Sequence, residues 1–140
     1  MAGTFCTVIN CMDGRTQLPV IRYLQGRFGV EYVDTITEPG PDGILSHQDD
    51  RVVVESICRR VAISRDKHGS RAVTIVGHAD CAGNPVSPEQ HCQQIVRAMK
   101  FLQQKFPEMA VIGLWLDDNW NIKEIGSEIE GEARERLNAM

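Results

Sequence analysis

A run of small and β-branched residues ends directly before a histidine and a cysteine in this 140-residue chain. Residues 72–76 read Ala-Val-Thr-Ile-Val, a pattern typical of a buried strand, and Gly77 follows. His78 and Cys81 come next, three residues apart, and Gly83-Asn84-Pro85 then turns the chain. At this spacing an imidazole nitrogen and a thiolate can face one point beyond the strand. Zn²⁺ prefers such ligands, so the stretch predicts part of a zinc site.

Two ligands do not make a metal site, and Cys11 is the best candidate for a third. Cys11 follows residues 5–9, whose apolar and β-branched side chains predict another strand, and it lies in a polar turn at residues 10–15. Two cysteines and one histidine, with a fourth position open, form the ligand set of a catalytic zinc rather than a structural one. The sequence therefore predicts Cys11, His78 and Cys81 as the metal ligands and Zn²⁺ as the cofactor.

Strands and helices alternate along the rest of the chain. Apolar side chains at three- and four-residue spacing predict helices between the strands. Residues 1–140 are therefore predicted to form a single α/β domain, with a mostly parallel sheet of four or five strands and helices on both faces. Ligands bind such sheets beyond the carboxyl ends of the strands, so Cys11 and His78 meet if the first and third strands are neighbours. The predicted strands are residues 5–9, 31–37, 72–76 and 109–116, with 120–125 as a returning edge strand.

Local patterns predict one loop, two helix starts and a terminal segment. Residues 38–43, Glu-Pro-Gly-Pro-Asp-Gly, predict a rigid turn-rich loop, and Ser46 with Asp49 predicts a capping box for the helix that follows. Residues 87–90, Ser-Pro-Glu-Gln, predict a second capping box with proline in the first helical turn. Residues 126–140 are polar and acidic, and they predict a surface helix or tail of the same domain.

The charge balance excludes several classes of partner. The chain has 15 lysines and arginines against 19 aspartates and glutamates, a formal net charge of −4, and no basic run that would attract nucleic acid or an anionic membrane surface. No apolar run is long enough to span a bilayer. The first residues lack a charged segment followed by an apolar one, so we expect no secretory signal and a cytoplasmic protein. Five cysteines, an odd number, favour metal or thiol chemistry over a disulfide scaffold.

The two ligand segments together resemble the β-class carbonic anhydrases. That family has Cys-x-Asp-x-Arg after its first strand and His-x-x-Cys after a later one, and here the motifs stand as Cys11-Met12-Asp13-Gly14-Arg15 and His78-Ala79-Asp80-Cys81. The resemblance extends over residues 5–125 and implies a β-carbonic-anhydrase-like fold with a catalytic zinc. It further implies reversible hydration of CO2 to bicarbonate by zinc-bound hydroxide. Because the family forms dimers and the predicted fourth strand is apolar, we expect a homodimer or a higher homo-oligomer.

Asp13 and Arg15 are the candidate catalytic residues. By resemblance, Asp13 accepts a hydrogen bond from the zinc-bound water while it is paired with Arg15, and it becomes the fourth zinc ligand when Arg15 releases it. The residues alone are equally consistent with an ordinary ion pair in a turn, worth about 0–1 kcal/mol if exposed. Asp80 lies between His78 and Cys81 and could orient the histidine.

Two loops depart from the family pattern and leave the reaction open. The family typically has an Arg-Asn-Ala-Gly-Asn-like loop where residues 37–43 stand here, and Gly-Gly or Gly-Ala where Ala82-Gly83 stands. A hydrolase of CS2 or COS, an activity found in small relatives of the family, is the first alternative. The second is a non-catalytic zinc-binding module on the same fold. The third is a thiol-redox protein that uses Cys11 and Cys81, although the chain has no Cys-x-x-Cys.

Three further features have both a functional and an ordinary interpretation. His47 and His91 could carry protons to buffer, since an unperturbed histidine titrates near pH ~6.5, but an ordinary surface histidine is the simpler interpretation of each. Cys92 follows His91 on a predicted helix, and its thiol has both a functional and an ordinary interpretation. Gly83 and Asn84 precede a predicted helix, so they could bind an anion through backbone N–H groups or simply form a tight loop.

Overall fold

A computed structural model describes residues 3–126, in which the apolar and β-branched segments form a five-stranded sheet. The strands are β1 Phe5–Cys11, β2 Tyr32–Glu38, β3 Ala72–His78, β4 Ala110–Leu116 and β5 Ile122–Ile125. Their order is β2-β1-β3-β4-β5, with the first four parallel and the short β5 antiparallel at one edge. The predicted mostly parallel sheet is confirmed. The predicted helix or tail at residues 126–140 lies, apart from Gly126, outside the described residues.

Four helices cover both faces of the sheet, as predicted. They are α1 Gln17–Phe28, α2 Pro41–His47, α3 Arg51–His68 and α4 Pro88–Lys105. Helices α2, α3 and α4 pack on one face, where Leu45, Ile57 and Ile95 are buried against strand residues. Helix α1 packs on the opposite face through Val20 and Leu24. None of these four helices is long and apolar enough to cross a membrane.

Strands β1 and β3 are direct neighbours, which brings their carboxyl ends to the same edge of the sheet. Their parallel register pairs Ile9 with Ile75. Both strands continue two residues beyond their predicted ends, so Cys11 and His78 are the final strand residues. The adjacency on which the predicted meeting of these two side chains depends is therefore present.

The predicted loop at residues 38–43 is wrong in its second half, because helix α2 begins at Pro41. Proline is tolerated at the first helical position, where its missing N–H has no partner in the helix anyway. Gly40, just before it, has a left-handed φ of 65°, which glycine adopts without strain. Position 43, inside the helix, suits glycine because a Cβ there would lie only 2.9 Å from the Asn84 side-chain nitrogen. Packing against a distant loop therefore overrides a local turn-forming sequence.

The two predicted capping boxes have different outcomes. Ser46 lies inside α2, so its predicted capping box with Asp49 is wrong. Asp50 caps α3 instead, and its carboxylate accepts a hydrogen bond from the Val53 N–H at 3.2 Å. Aspartate and serine are comparable N-caps, so the pattern alone did not separate the two starts. The capping box at Ser87, which begins α4, is confirmed with both of its reciprocal hydrogen bonds.

Candidate metal centre

Cys11, His78 and Cys81 converge at the edge of the sheet where β1 and β3 end. Cys11 and His78 are the last residues of their strands, and Cys81 follows in a turn where Asp80 has a left-handed φ of 57°. All three side chains are buried. Their ligand atoms lie within 4.8 Å of one another. Among residues 3–126 this is the only cluster of three or more histidine, cysteine or acidic side chains that could share a metal ion.

The imidazole of His78 is oriented so that one nitrogen is available. Its Nδ1–H donates a hydrogen bond to the Ala79 carbonyl oxygen at 2.7 Å, which leaves a lone pair on Nε2. Nε2 is buried and has no hydrogen-bond partner within the described part of the chain. Buried polar atoms are nearly always paired, so an orphaned ring nitrogen beside two thiols indicates a place for a bound ligand.

The distance between the two sulfur atoms fits a tetrahedral metal. Two thiolates bound at ~2.3 Å to one tetrahedral zinc lie about 3.8 Å apart. Cys11 Sγ and Cys81 Sγ are 3.9 Å apart. Thiolate and imidazole are also the donor types that zinc prefers, and three donors leave one tetrahedral position for a further ligand. The residues present therefore fit a Cys2His metal site.

The two thiols differ in how readily they ionise. Burial raises the pKa of Cys11, but the His78 imidazole and the backbone N–H groups of Gly40 and Asp13 outweigh burial and lower that pKa to about 7. Burial and the nearby Cys11 thiolate raise the pKa of Cys81 to about 11. Burial lowers the pKa of His78, but its contact with Cys11 raises that pKa overall. Cys11 is thus the first of the two thiols to ionise. A divalent cation bound between the sulfur atoms would favour ionisation of Cys81 as well.

Asp13 and Arg15 are paired in the turn that follows Cys11. The Asp13 carboxylate caps the 3-10 turn Gly14–Thr16 by accepting the Arg15 backbone N–H at 2.9 Å. The guanidinium donates to both carboxylate oxygens, with Nη2 2.7 Å from Oδ2 and Nε 3.0 Å from Oδ1. These hydrogen bonds lower the pKa of Asp13 to about 2, so the carboxylate is ionised at neutral pH. Arg15 also donates to the Asp80 carbonyl at 3.2 Å, which links the two ligand segments.

Trp120 is a neighbour of the site that the sequence does not reveal. Its ring centroid lies 6.1 Å from that of His78, and Arg15 Cζ lies 4.9 Å from the centroid of the same ring. The sequence predicts Trp120 only as the start of the edge strand, but β5 begins at Ile122. A turn at residues 117–121 carries this ring, and its contacts with His78 and Arg15, far earlier in the chain, have no local pattern.

Asp42 and His91 form a buried pair behind β3 that sequence patterns also missed. His91 Nδ1 donates to Asp42 Oδ2 at 2.6 Å, and both side chains are almost fully buried. The other carboxylate oxygen accepts hydrogen bonds from the Gly43 N–H and the Asn84 side-chain amide. His91 is therefore not the surface histidine of the simpler interpretation, and it has no direct contact with buffer. His47, by contrast, is exposed at the end of α2.

The fold and the cluster together define a class of protein: an α/β domain with a buried Cys-His-Cys centre at the carboxyl edge of a parallel sheet. A family model described as "Putative carbonic anhydrase" matches residues 1–126. Because the match spans most of the chain, the protein belongs to this carbonic anhydrase family. The family resemblance seen in the two motifs is thereby confirmed. No curated protein matches the chain significantly.

Solved structures of carbonic anhydrases share the fold at low sequence identity. The carbonic anhydrase of Streptococcus mutans is 15% identical, with a TM-score of 0.56 over 85% of this chain and 80% of that one. β-Carbonic anhydrase isoform I of Trichomonas vaginalis is 15% identical, with a TM-score of 0.53 over 86% and 81%. A tetrameric β-carbonic anhydrase of Sordaria macrospora is 15% identical, with a TM-score of 0.53 over 91% and 82%. These likenesses confirm the predicted fold class.

Proposed function

We propose that this protein binds Zn²⁺ through Cys11, His78 and Cys81 and catalyses the reversible hydration of CO2 to bicarbonate. The convergence of three buried ligand atoms within 4.8 Å of one another is the observation that carries the proposal. Membership of the carbonic anhydrase family supports it. Bound at this site, Zn²⁺ supplies a Lewis acid that lowers the pKa of water from about 15.7 to ~7, which provides a nucleophile at neutral pH.

Asp13 has the role of orienting the reacting water. Its carboxylate is ionised and lies in the turn directly after Cys11. Oδ2 accepts one short hydrogen bond, from Arg15 Nη2 at 2.7 Å, and a long one of 3.3 Å from Nε, which also donates to Oδ1. A water molecule can replace the long contact at Oδ2, because Nε keeps Oδ1 as its acceptor. By accepting the hydrogen bond of a water molecule, Asp13 turns the oxygen lone pair of that water toward the carbon of CO2. Arg15 holds the carboxylate in place and keeps it ionised.

Metal analysis of purified variants tests the proposed ligands. The wild-type protein should hold about one zinc per chain, whereas Cys81→Ser and His78→Ala should each lose it, because two remaining ligands bind zinc too weakly. Cys92→Ser is the matched control, since Cys92 is a half-buried thiol outside the cluster, and this variant should keep its metal. Full zinc content in Cys81→Ser or His78→Ala would contradict the ligand set.

Stopped-flow CO2 hydration tests the reaction itself. Zinc-replete protein should hydrate CO2 above the buffer rate, and Cys81→Ser should not. A protein that holds zinc but does not accelerate hydration would show that the proposed reaction is wrong. CS2 and COS are then the substrates to assay, and a lack of turnover with both would favour the non-catalytic zinc module.

We further propose that the protein forms a homodimer or a higher homo-oligomer. Within residues 3–126, β2 pairs only with β1, so the other side of this seven-residue strand presents unpaired backbone groups. The strand contains no proline or lysine that would block pairing with another chain. The Sordaria macrospora enzymes are tetrameric, which also supports self-association. Light scattering over a dilution series should give the mass of at least two chains, and a monomeric mass at every concentration would contradict the proposal.

A further inference from the structure

Two residues in strained backbone conformations contact the Arg15 guanidinium. Among residues 3–126, three non-glycine residues have a positive φ: Gln48, Asp80 and Trp120. Asp80 accepts hydrogen bonds from Arg15 through its carbonyl and its carboxylate, at 3.2 and 3.3 Å, and the Trp120 ring centroid lies 4.9 Å from Arg15 Cζ. A left-handed conformation costs free energy in a non-glycine residue and persists where the surrounding structure enforces it. Two of these three residues, Asp80 and Trp120, therefore contact the same side chain, that of Arg15.

The turn that carries Trp120 is held by four hydrogen bonds. Asp117 Oδ1 accepts the backbone N–H groups of Asn119 and Asn121, at 2.9 and 3.0 Å. The Trp120 N–H donates to the Asp117 carbonyl at 2.9 Å, and the Asp117 N–H donates to the Asn121 carbonyl at 3.1 Å. The partly buried indole also packs against the apolar cluster under α1. Because the backbone and the ring are both held, Trp120 presents a preformed surface to Arg15.

Contact with the Trp120 ring should fix the position of the Arg15 side chain, which is 48% exposed. Ion pairs in contact with solvent are weak, since water and salt screen them and a long side chain loses rotamer freedom when it is held. A guanidinium placed over an indole ring gains cation–π attraction and has fewer alternative rotamers. The same ring lies 6.1 Å from the His78 ring, between centroids, so it borders the candidate metal centre as well.

We propose that Trp120 is a positioning residue of the active site, which holds Arg15 against Asp13 and Asp80 and thereby keeps the Asp13 carboxylate in the orientation that the reaction uses. The inference rests on the proposed function, because only there does Asp13 act on the reacting water. Leucine at position 120 would cover the apolar cluster but would offer no aromatic face to Arg15. Trp120→Leu therefore separates the packing of the tryptophan on the apolar cluster from its contact with Arg15.

Nitrogen-15 NMR of the Arg15 side chain tests the contact without reference to activity. The Arg15 Nε–H signal, assigned by its loss in Arg15→Lys, should be shifted upfield by the Trp120 ring and protected from exchange by its hydrogen bonds to Asp13. Trp120→Leu should remove the ring shift and speed the exchange, and Trp120→Phe should keep part of both. Phe28→Leu is the matched control, because the Phe28 ring lies 5.1 Å from Arg27 Cζ in a separate pair, and it should leave the Arg15 signal unchanged.

CO2 hydration by the zinc-loaded variants tests the positioning role. Loss of a cation–π contact corresponds to a fall of about 2- to 30-fold in rate. We expect that fall in the kcat of Trp120→Leu, with KM and zinc content unchanged, because the contact orients a catalytic group and does not bind substrate. Trp120→Phe should lose less, since phenylalanine keeps an aromatic face.

Failure of this inference and failure of the proposed function give different results. An Arg15 signal that is the same in the wild type and in Trp120→Leu would overturn the contact. A wild-type kcat in a Trp120→Leu protein whose Arg15 signal has moved would overturn the positioning role. If the wild-type protein is inactive, the proposed function is wrong and the positioning role with it, while NMR still decides the contact. If Trp120→Leu does not fold, Trp120→Phe carries the test, with smaller changes of the same sign.

Discussion

Asp42 and His91 form a hydrogen-bonded pair, with 2.6 Å between Asp42 Oδ2 and His91 Nδ1, directly behind the strand that ends in His78. The pair joins α2 to α4. The same carboxylate accepts a hydrogen bond at 3.0 Å from Asn84, in the loop that follows Cys81. One buried side chain therefore connects two helices with the loop that carries a candidate metal ligand.

Removal of the Asp42 carboxylate should destabilise the protein strongly. Asp42→Ala leaves the buried His91 Nδ1–H without its acceptor and removes one of the two acceptors of the Asn84 amide, which also donates to Gln94 at 2.6 Å. Breaking a buried pair in this way costs about 3–5 kcal/mol. Urea unfolding measures the change in the free energy of unfolding. Asp49→Asn is the matched control, because Asp49 is exposed, and its effect should stay within ~0.5 kcal/mol. A loss below about 1 kcal/mol in Asp42→Ala would show that the pair is not a structural support.

A side chain at position 77 should disturb both this pair and the metal centre. The Cβ of Gly77→Ala would lie 2.6 Å from Asp42 Oδ2 and 2.9 Å from Ile95 Cδ1, so neighbouring groups must move. Overpacking of this kind costs about 1–3 kcal/mol, and the shift should weaken zinc binding because His78 is the next residue.

Gly26→Ala is the control for Gly77→Ala, and we expect it to stabilise the protein instead of destabilising it. Gly26 lies within α1, and a Cβ there would meet no atom within 4 Å. The substitution should raise the free energy of unfolding by about 0.5–1 kcal/mol and leave zinc binding unchanged, because alanine favours a helix more than glycine does. Equal stability of Gly77→Ala and wild type would contradict the close packing of Gly77 on Asp42.

Glu124 should stabilise the attachment of β5 to α1 in a pH-dependent way. Its carboxylate accepts hydrogen bonds from Arg27 at 3.0 and 3.1 Å and from the Tyr23 hydroxyl at 2.8 Å. Burial raises the pKa of Glu124, but these hydrogen bonds outweigh it and lower the pKa below its ordinary value near 4.5. Glu124→Gln should therefore lower the free energy of unfolding at pH ~7 by about 1 kcal/mol.

The effect of Glu124→Gln should shrink in acid. A group with a lowered folded-state pKa stabilises the protein above its unfolded-state pKa and loses that contribution as the pH falls through the folded-state value. Urea unfolding of both proteins between about pH 7 and ~3 measures the difference. Tyr23→Phe should act non-additively with Glu124→Gln, since the two side chains share a hydrogen bond. A difference that is constant with pH would contradict the ionised state of Glu124.

The elements predicted correctly are those whose signal is local. Strand β3 follows from the β-branched run at residues 72–76, and α4 follows from the cap at Ser87 and the apolar spacing after it. The sequence does not predict helix α2, because prolines and glycines form turns in most contexts, whereas here Gly43 and Asp42 pack against Asn84 and Asp42 is hydrogen-bonded to His91 of α4. These contacts join residues far apart in the sequence and have no local pattern.

In the candidate site, too, the residues with a signal in the sequence are predicted and those placed by distant contacts are not. The two motifs and the parallel-strand rule together predict that Cys11, His78 and Cys81 meet, because strand ends gather at one edge of the sheet. Trp120 was not predicted as part of the site, since its contact with Arg15 depends on the turn between β4 and β5. Residues that support a site from distant elements therefore need the structure to be found.

Stopped-flow CO2 hydration by zinc-replete protein, measured between about pH 7 and ~9, decides whether the site works as a carbonic anhydrase. We expect activity that rises with pH, as the nucleophile forms, and that falls at least ~10-fold in Asp13→Asn with zinc content unchanged, because asparagine is a poorer acceptor than an ionised carboxylate. A protein that holds one zinc per chain but shows no hydration above buffer would contradict the proposed reaction, and full activity in Asp13→Asn would contradict the role of Asp13.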